Sequence, residues 1–234
     1  MSLDFYQDQP HPCAYLDDRL ARNIFPDPGK PVTNALYSQL IQHGFRRSGD
    51  HMYRPHCPAC QACIPVRIDL SAFQANRTQR RCLRRNSDIT LHIRPAIFSE
   101  EHFELYVRYQ KIRHPGAGMD NPTEQSYRQF LTSYWSDSAF VELRLKEKLV
   151  VVAVTDFVAD AASAFYTFYD PEIPSRSLGT LAILKQIELA RHQRLSWLYL
   201  GYWIEASSKM RYKNRFSGLQ YLQGQWQSAD KNFE

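Results

Sequence analysis

Ser163-Ala164-Phe165-Tyr166-Thr167-Phe168-Tyr169 reads as an aromatic strand, and the two segments after it complete a unit. From Ser177 to Arg191, Leu181, Leu184, Ile187 and Glu188 fall on one helical stripe, and Ser196–Ile204 then returns as a strand. A helix between two strands is long enough to carry the chain back across a sheet, which predicts that both strands run the same way. Alternation puts Tyr166 and Phe168 on one face of the first strand and Phe165 and Tyr169 on the other, so they cannot all share one core. Some of these aromatics, and Tyr199, Tyr202 and Trp203 on the second strand, are expected to line a cleft. The helix opens at Ser177-Leu178-Gly179-Thr180 with backbone N–H groups free to meet an anion.

Outward from this unit the pattern stays orderly. Ile89, Leu91 and Ile93 alternate with polar residues over Asp88–Arg94, a strand. Ser99 with Glu100 and Glu101 opens a helix carrying Phe103, Tyr106, Val107 and Gln110 at helical spacing. Thr123 opens another, with Tyr127, Phe130, Leu131 and Tyr134 expected inward. Val141, Leu143 and Leu145 alternate before the turn Lys146-Glu147-Lys148, and Leu149–Asp156 returns as an aliphatic strand. Ser207–Phe216 reads as a short closing helix. The first 75 residues are rich in Pro and turns, with one helical pattern at Asn34–Gly44. The expected class is α+β, with a small Cys-containing domain over 1–87 and a second domain over 88–234. The order strand, helix, helix, three meandering strands, helix, strand, helix matches the acyl-transferring fold called GNAT. The turn at Ser177 lacks the fuller glycine-rich loop that suits the pyrophosphate of coenzyme A.

A chain of 234 residues with 44% hydrophobic and 23% charged residues is ordinary for a globular protein, which excludes disorder, collagen and coiled coil. Its longest aliphatic run, Leu149–Val154, is far short of the roughly 18–20 residues of a membrane span. Met1-Ser2-Leu3-Asp4 has no apolar character of a secretory signal, so a soluble, cytoplasmic protein is expected. Residues 1–95 hold 13 Lys and Arg against 8 Asp and Glu, and residues 96–234 hold 16 against 16. The whole net charge of +5 therefore lies in the first 95 residues, as suits a face turned toward a polyanion.

Two motifs stand out there. Cys57-Pro-Ala-Cys60-Gln-Ala-Cys63 has the spacing that lets thiolates converge on one zinc ion or iron–sulfur cluster, with Cys13, His11 or His56 as the fourth ligand. Three small buried residues in a Pro-rich loop are the alternative. Cys82 reads as a packed thiol. Arg77, Arg80, Arg81, Arg84 and Arg85 recur at i, i+3, i+4, i+7 and i+8, so one helix face carries five guanidinium groups. Such a face repels itself unless anions neutralise it, which a nucleic acid backbone does; a solvated helix face is the plainer reading. Later, Arg113-His114-Pro115-Gly116-Ala117-Gly118-Met119-Asp120 sets a cation and an imidazole beside glycines; a helix C-terminus with favourable Arg and His charges before a turn is the equal alternative.

Taken together, His11-Pro-Cys13-Ala-Tyr15-Leu16, Gly44-Phe-Arg46-Arg47-Ser-Gly49, Tyr53-Arg54-Pro55 and the cysteine triplet with Ile64-Pro-Val-Arg67 resemble bacterial aminoacyl-tRNA–protein transferases. Arg113-His114 with Gly118-Met119, Ser163–Tyr169, Ser177–Thr180, Tyr199-Leu-Gly-Tyr202 and Lys209-Met-Arg-Tyr-Lys213 belong to the same resemblance, which runs from about residue 11 to 216. It points to the branch of aspartate/glutamate leucyltransferases. The resemblance implies transfer of leucine from leucyl-tRNA to proteins bearing N-terminal Asp or Glu, marking them for degradation as N-degrons. The eukaryotic relatives carry a paired Cys-x-x-Cys near the start, whereas Cys13 stands alone here, so their metal or cluster is not carried over.

Such a reaction starts from an activated ester, so positioning and oxyanion stabilisation matter more than a strong base, and no cofactor is required for transfer. Selectivity for Asp or Glu demands a fixed cation. Arg46, Arg47, Arg113, Lys209 and Lys213 are the candidates, Arg46 and Arg113 with His114 foremost, while Tyr202 and the turn Ser177, Gly179, Thr180 join them in binding substrate. Tyr166 and Tyr169 are expected to face the ester, with Asp170 relaying a proton or simply starting a turn before Pro171. Two other classes share some of these features. A coenzyme A-dependent acetyltransferase predicts acetyl transfer with thiol release, and a non-catalytic tRNA-binding zinc protein predicts binding without product. Oligomeric state is not written in the residues.

Overall fold

An unbroken aliphatic run such as Leu149–Val154 suits a strand covered on both faces. The computed structural model, which describes residues 3–115 and 121–228, places it so. Val151 and Ala153 pack in one cluster with a long helix, and Val152 and Val154 in another with a different helix pair.

Along the chain, β1 (Phe5–Gln7), β2 (His11–Pro12), β3 (Leu20–Ala21) and β4 (Asn23–Pro26) precede α1 (Asn34–Leu40). The Thr33 hydroxyl caps α1 by accepting from the Leu36 N–H, and Gly44, at φ 86°, ends the 3-10 turn that follows. β5 (Arg46–Ser48) and β6 (His51–Pro55) form a hairpin, β7 (Ile64–Asp69) follows, and α2 (Arg77–Arg85) starts at a reciprocal Asn76–Gln79 capping box. Then come β8 (Ile89–Pro95), α3 (Glu100–Arg113), α4 (Glu124–Leu131), β9 (Ser138–Leu145), β10 (Lys148–Val158), β11 (Ala161–Tyr169), α5 (Leu178–His192) and β12 (Trp197–Trp203). That is the expected order. A 3-10 turn, Arg211–Arg215, stands where a closing helix was expected, and β13 (Leu219–Gln223) and β14 (Gln225–Ser228) follow it.

The large sheet runs β14-β13-β7-β12-β11-β10-β9-β8. Within it β11 and β12 are parallel, as the crossover through α5 requires, and every other pairing among the described residues is antiparallel. β7 comes from the Pro-rich first part of the chain yet lies inside this sheet, with Val66 and Ile68 buried between β12 and β13. Its alternation of Ile64, Val66 and Ile68 was there to read, masked by Pro65. Tyr134, expected inward, is 84% exposed, because α4 ends at Leu131 and Thr132 turns to extended backbone, taking Tyr134 off the helical stripe. A smaller sheet, β1-β4-β6-β5, packs with α1 through Tyr37, Leu40, Ile41, Phe45 and Met52 against Val158, Ala161 and Tyr199 of the large sheet. No helix among the described residues is long and apolar enough to cross a membrane.

A buried ion pair locks the two sheets together. Arg47 on β5 and Asp156 on β10 are both 0% exposed at their side chains. Nε donates to Oδ2 at 2.8 Å and Nη2 to Oδ1 at 2.7 Å, a two-pronged contact. Ser138 and Tyr37 hydroxyls donate to the same carboxylate, and the Gly49 and Leu131 carbonyls accept from the guanidinium, so the charges are met on every side. Removing one partner of such a pair leaves a charge stranded away from water. Arg47→Met is therefore expected to cost about 3–5 kcal/mol in urea unfolding; an unchanged midpoint contradicts the anchoring role.

Candidate active site

β11 and β12 pair only over Ala161–Ser163 with Trp197–Tyr199. Beyond that point each strand carries one extra residue against its outer neighbour. Val154 lies opposite Tyr166 and Thr155 opposite Ala164, which leaves Phe165 as a bulge in β11. Tyr199 lies opposite Arg67 and Gly201 opposite Val66, which leaves Leu200 as a bulge in β12. Bulges bend strands, so a gap opens at the middle of the sheet with backbone groups no strand partner satisfies.

Arg46 fills that gap. It neighbours Arg47 on β5, and alternation sends the two side chains different ways. Arg46 Nη2 donates to the carbonyls of Ala164 at 3.1 Å and Phe165 at 3.4 Å, while Nη1 is buried with no partner. Gly201 allows the approach on two counts. Its φ is +79°, and a Cβ there would lie 2.7 Å from Arg46 Nη1 and 3.0 Å from Cζ. Around the guanidinium stand Tyr53 and Tyr202, ring centroids 6.4 Å apart, with the Tyr202 hydroxyl donating to the Gly44 carbonyl at 2.8 Å.

Lys213 is buried beside them, its ammonium donating to the Tyr202 carbonyl and lying 3.3 Å from Met210 Sδ. Burial first, and then the charge of Arg46, pull its pKa down to about 7, against the opposing influence of Cys63. A pKa near 7 lets Lys213 exchange a proton near neutral pH.

The far wall is aromatic. The Tyr169 ring lies edge-on to Tyr109, centroids 4.9 Å apart, and a Cβ on Gly179 would meet it at 3.3 Å, so Tyr169 covers the first turn of α5. Leu181 N–H is the first to bond back into the helix, to Ser177 O, leaving the N–H groups of Leu178, Gly179 and Thr180 ahead of it outside the helical ladder. Ser177 itself is exposed, sits at φ 54° and caps nothing with its side chain. His114 packs on Tyr109 at 5.4 Å, its imidazole pKa pushed down by burial and by Lys209 and Arg113 nearby. Arg113 and Lys209 are exposed. Gly116, Ala117, Gly118, Met119 and Asp120 lie outside the described residues.

α2 docks beside the start of α5. Asn86 Nδ2 donates to Arg176 O at 2.9 Å, and Cys82 Sγ lies 3.8 Å from the Arg176 and Ser177 carbonyls. Gln79 and Cys82 turn inward, so Arg77, Arg80, Arg81, Arg84 and Arg85 are all exposed, and none has an acidic partner among the described residues. The cationic face thus adjoins the free end of the crossover helix.

One expectation is corrected, and one open alternative is narrowed. Arg47 is not available to a substrate, because Asp156 and three further groups take up its guanidinium. Asp170, expected as a relay or as the start of a turn, is held in the turn. Burial alone would raise its pKa, but Lys148, 2.7 Å from Oδ2, and the Glu172 N–H, 3.0 Å from Oδ1, outweigh that and hold it below the usual carboxylate range. It stays ionised and fastens the turn before Pro171.

The cysteines are only loosely gathered. The Cys63 thiol is pushed up to about 12 by burial and then by Cys57, Cys13 and Cys60, so all four interact. Yet among the described residues no three His, Cys, Asp or Glu side chains stand close enough to hold a metal ion. Gly201 and Gln110 had no role assigned from sequence; a glycine inside a strand and a glutamine on an inward helical stripe were their signals. Gly201→Ala is expected to keep the fold, to cost about 1–2 kcal/mol through its left-handed backbone, and to expel the Arg46 guanidinium from the gap in a crystal structure of the variant. A guanidinium left in place contradicts this account of the glycine.

Comparison with known proteins bears on the chain as a whole. Residues 11–81 match the family described as "Arginine-tRNA-protein transferase, N terminus", and residues 101–223 match "Arginine-tRNA-protein transferase, C terminus". A relative from Alcanivorax borkumensis named aspartate/glutamate leucyltransferase is 47% identical over 231 residues, covering 98% of this chain and 96% of its own. Another of that name, from Hahella chejuensis, is 48% identical over 221 residues, 94% of each chain. Among solved structures, L-PGS from Bacillus licheniformis has a TM-score of 0.47 at 12% identity, covering 71% of this chain and 49% of that one, a likeness too slight to carry any argument. With both halves matched and relatives so similar along nearly their full length, the chain belongs to the arginine-tRNA-protein transferase family.

Proposed function

We propose that this protein moves leucine from leucyl-tRNA to the α-amine of proteins that begin with Asp or Glu, creating an N-degron, and that it works in the cytoplasm, where charged tRNA is met. The name shared by relatives at 47% and 48% identity supports the reading. The observation that carries it in the site is the buried, unpartnered Nη1 of Arg46. A charged donor left unpaired in a low-dielectric gap is stabilised most by a carboxylate, and a neutral amide in its place gains far less. Arg46 therefore reads the acidic side chain of the acceptor.

The chemistry follows from that placement. The acceptor ammonium loses a proton and its nitrogen attacks the leucyl carbonyl carbon. An amide bond forms, the ester bond to the terminal ribose breaks, and the ribose oxygen leaves as a hydroxyl. An α-amine titrates at about 7.7–8.0, so little assistance is needed, and Lys213, with its pKa of about 7, stands beside Arg46 to take the proton. Tyr166 and Tyr169 face the ester. Burial pushes the Tyr166 phenol well above its ordinary range, so it keeps its proton to donate to the developing oxyanion. His114, Lys209 and Arg113 flank the tRNA end, and the arginine face of α2 follows the phosphate backbone toward the N–H groups of Gly179 and Thr180. Cys13, Cys57, Cys60 and Cys63 have the soft donors for zinc or an iron–sulfur cluster and interact around Cys63; transfer takes no step through such a group.

Mass spectrometry of an Asp-initiated peptide incubated with leucyl-tRNA, arginyl-tRNA or acetyl-coenzyme A tests the reading. A gain of one leucine is expected with the first donor only; acetylation, or no product, contradicts it. Arg46→Gln is expected to reduce the preference for an Asp over an Asn start by about 10- to 100-fold, with the urea midpoint showing whether the fold is retained. Replacing Arg80, Arg81 and Arg84 by Gln should flatten the logarithmic salt dependence of tRNA binding by about 2–3. An unchanged slope removes α2 from the tRNA interface.

A further inference from the structure

Gln110 is the misfit of α3. The helix buries Leu105, Tyr106 and Tyr109 in an aromatic cluster, and Gln110, 0% exposed, lies next in line with an amide. Its Nε2 donates to the Tyr166 hydroxyl oxygen at 2.9 Å, the Tyr106 phenol also lies against the amide, and Oε1 is buried with no hydrogen-bond partner. A leucine there would pack without leaving an acceptor stranded, so the amide is out of keeping with a purely structural role. Rings surround the pair. Tyr106 lies 6.3 Å and Phe130 5.0 Å from Tyr166 between centroids. Tyr166 is also the residue next to Phe165, whose carbonyl accepts from Arg46, which puts Gln110 and Tyr166 at the edge of the gap.

The two side chains offer complementary groups. Because Tyr166 accepts from Gln110, its own O–H points elsewhere as a donor, while Gln110 Oε1 is an acceptor looking for a donor. An α-aminoacyl ester presents the mirror image: a carbonyl oxygen that accepts, and on the adjacent carbon an ammonium that donates. Aromatic faces add cation–π attraction for that ammonium. We propose that Gln110, held by Tyr166, binds the free α-amino group of the aminoacyl donor, so that the site requires an α-amino acid whatever its side chain. This rests on the transferase reading and adds to it the group that the donor must carry.

The test compares leucyl-tRNA with tRNA charged with 4-methylpentanoate, the same acyl group without its amine, in single-turnover transfer to an Asp-initiated peptide. The wild-type protein should prefer the leucyl donor by about 10- to 100-fold. Gln110→Met should bring the two donors within a few-fold by slowing leucine alone, and Gln110→Glu should keep or raise the preference. Calorimetry with the two amide-linked acyl-adenosines reads the same preference without turnover. If transfer proceeds but neither assay shows an amine preference, or if Gln110→Met slows both donors alike, the proposal is overturned while the transferase reading stands. If no transfer occurs yet the amine preference persists in binding, the proposal stands and the transferase reading falls.

Discussion

The Arg47–Asp156 ion pair, sealed from water, decides where everything else in the site can be. Two charges out of solvent tolerate little displacement, because every ångström of separation forfeits Coulomb energy that water no longer replaces. The pair therefore pins β5 to the face of the large sheet. With the backbone pinned, the residue before it has one direction left, and Arg46 is driven into the gap between β11 and β12. An arginine free in solution would sample many rotamers; here its guanidinium is fixed before any ligand arrives, so binding an anion costs little further entropy.

The gap is itself a product of local backbone chemistry. Parallel strands joined through a helix pair at one end, and a single extra residue in each, Phe165 and Leu200, is enough to part them. The same bulges turn carbonyls inward for Arg46 to cap, and Gly201 removes the one side chain that would block it. Charge is then graded across the site. Arg46 supplies the guanidinium, burial and Arg46 bring the Lys213 pKa down to about 7, and burial keeps the Tyr166 phenol protonated. One cation, one proton-exchanging amine and a wall of neutral donors suit an acidic acceptor, a transient ammonium and a developing oxyanion in turn.

How much of this the residues disclosed depends on the range of the interaction. The crossover Ser163–Ile204 was legible because its periods switch from two to 3.6 and back within one stretch. The arginine face of α2 was legible for the same reason, since spacing alone sets which side chains share a helix side. The strand β7 was less so: Pro65 hid an alternating Ile64, Val66 and Ile68, and its partners lie more than a hundred residues away in β12 and β13. Arg46 was ranked ahead of Arg47, but their chemistry is identical; it is Asp156 and Gly201, far off in sequence, that assign them opposite tasks. Asp170 was open in a similar way, since a carboxylate at a strand end is a relay or a turn residue according to whether Lys148 reaches it. Gln110 was visible as a polar residue on an apolar stripe, but its unpaired oxygen emerges only from the packed cluster.

The claim that matters most is that the cation held in the strand gap meets the acceptor's carboxylate. A crystal structure of the protein with an amide-linked leucyl-adenosine and a peptide beginning with Asp tests it directly. The account predicts the aspartate side chain seated on Arg46 Nη1 between β11 and β12. A carboxylate bound instead at Arg113 or Lys209, with Arg46 still facing only its own backbone carbonyls, would contradict it.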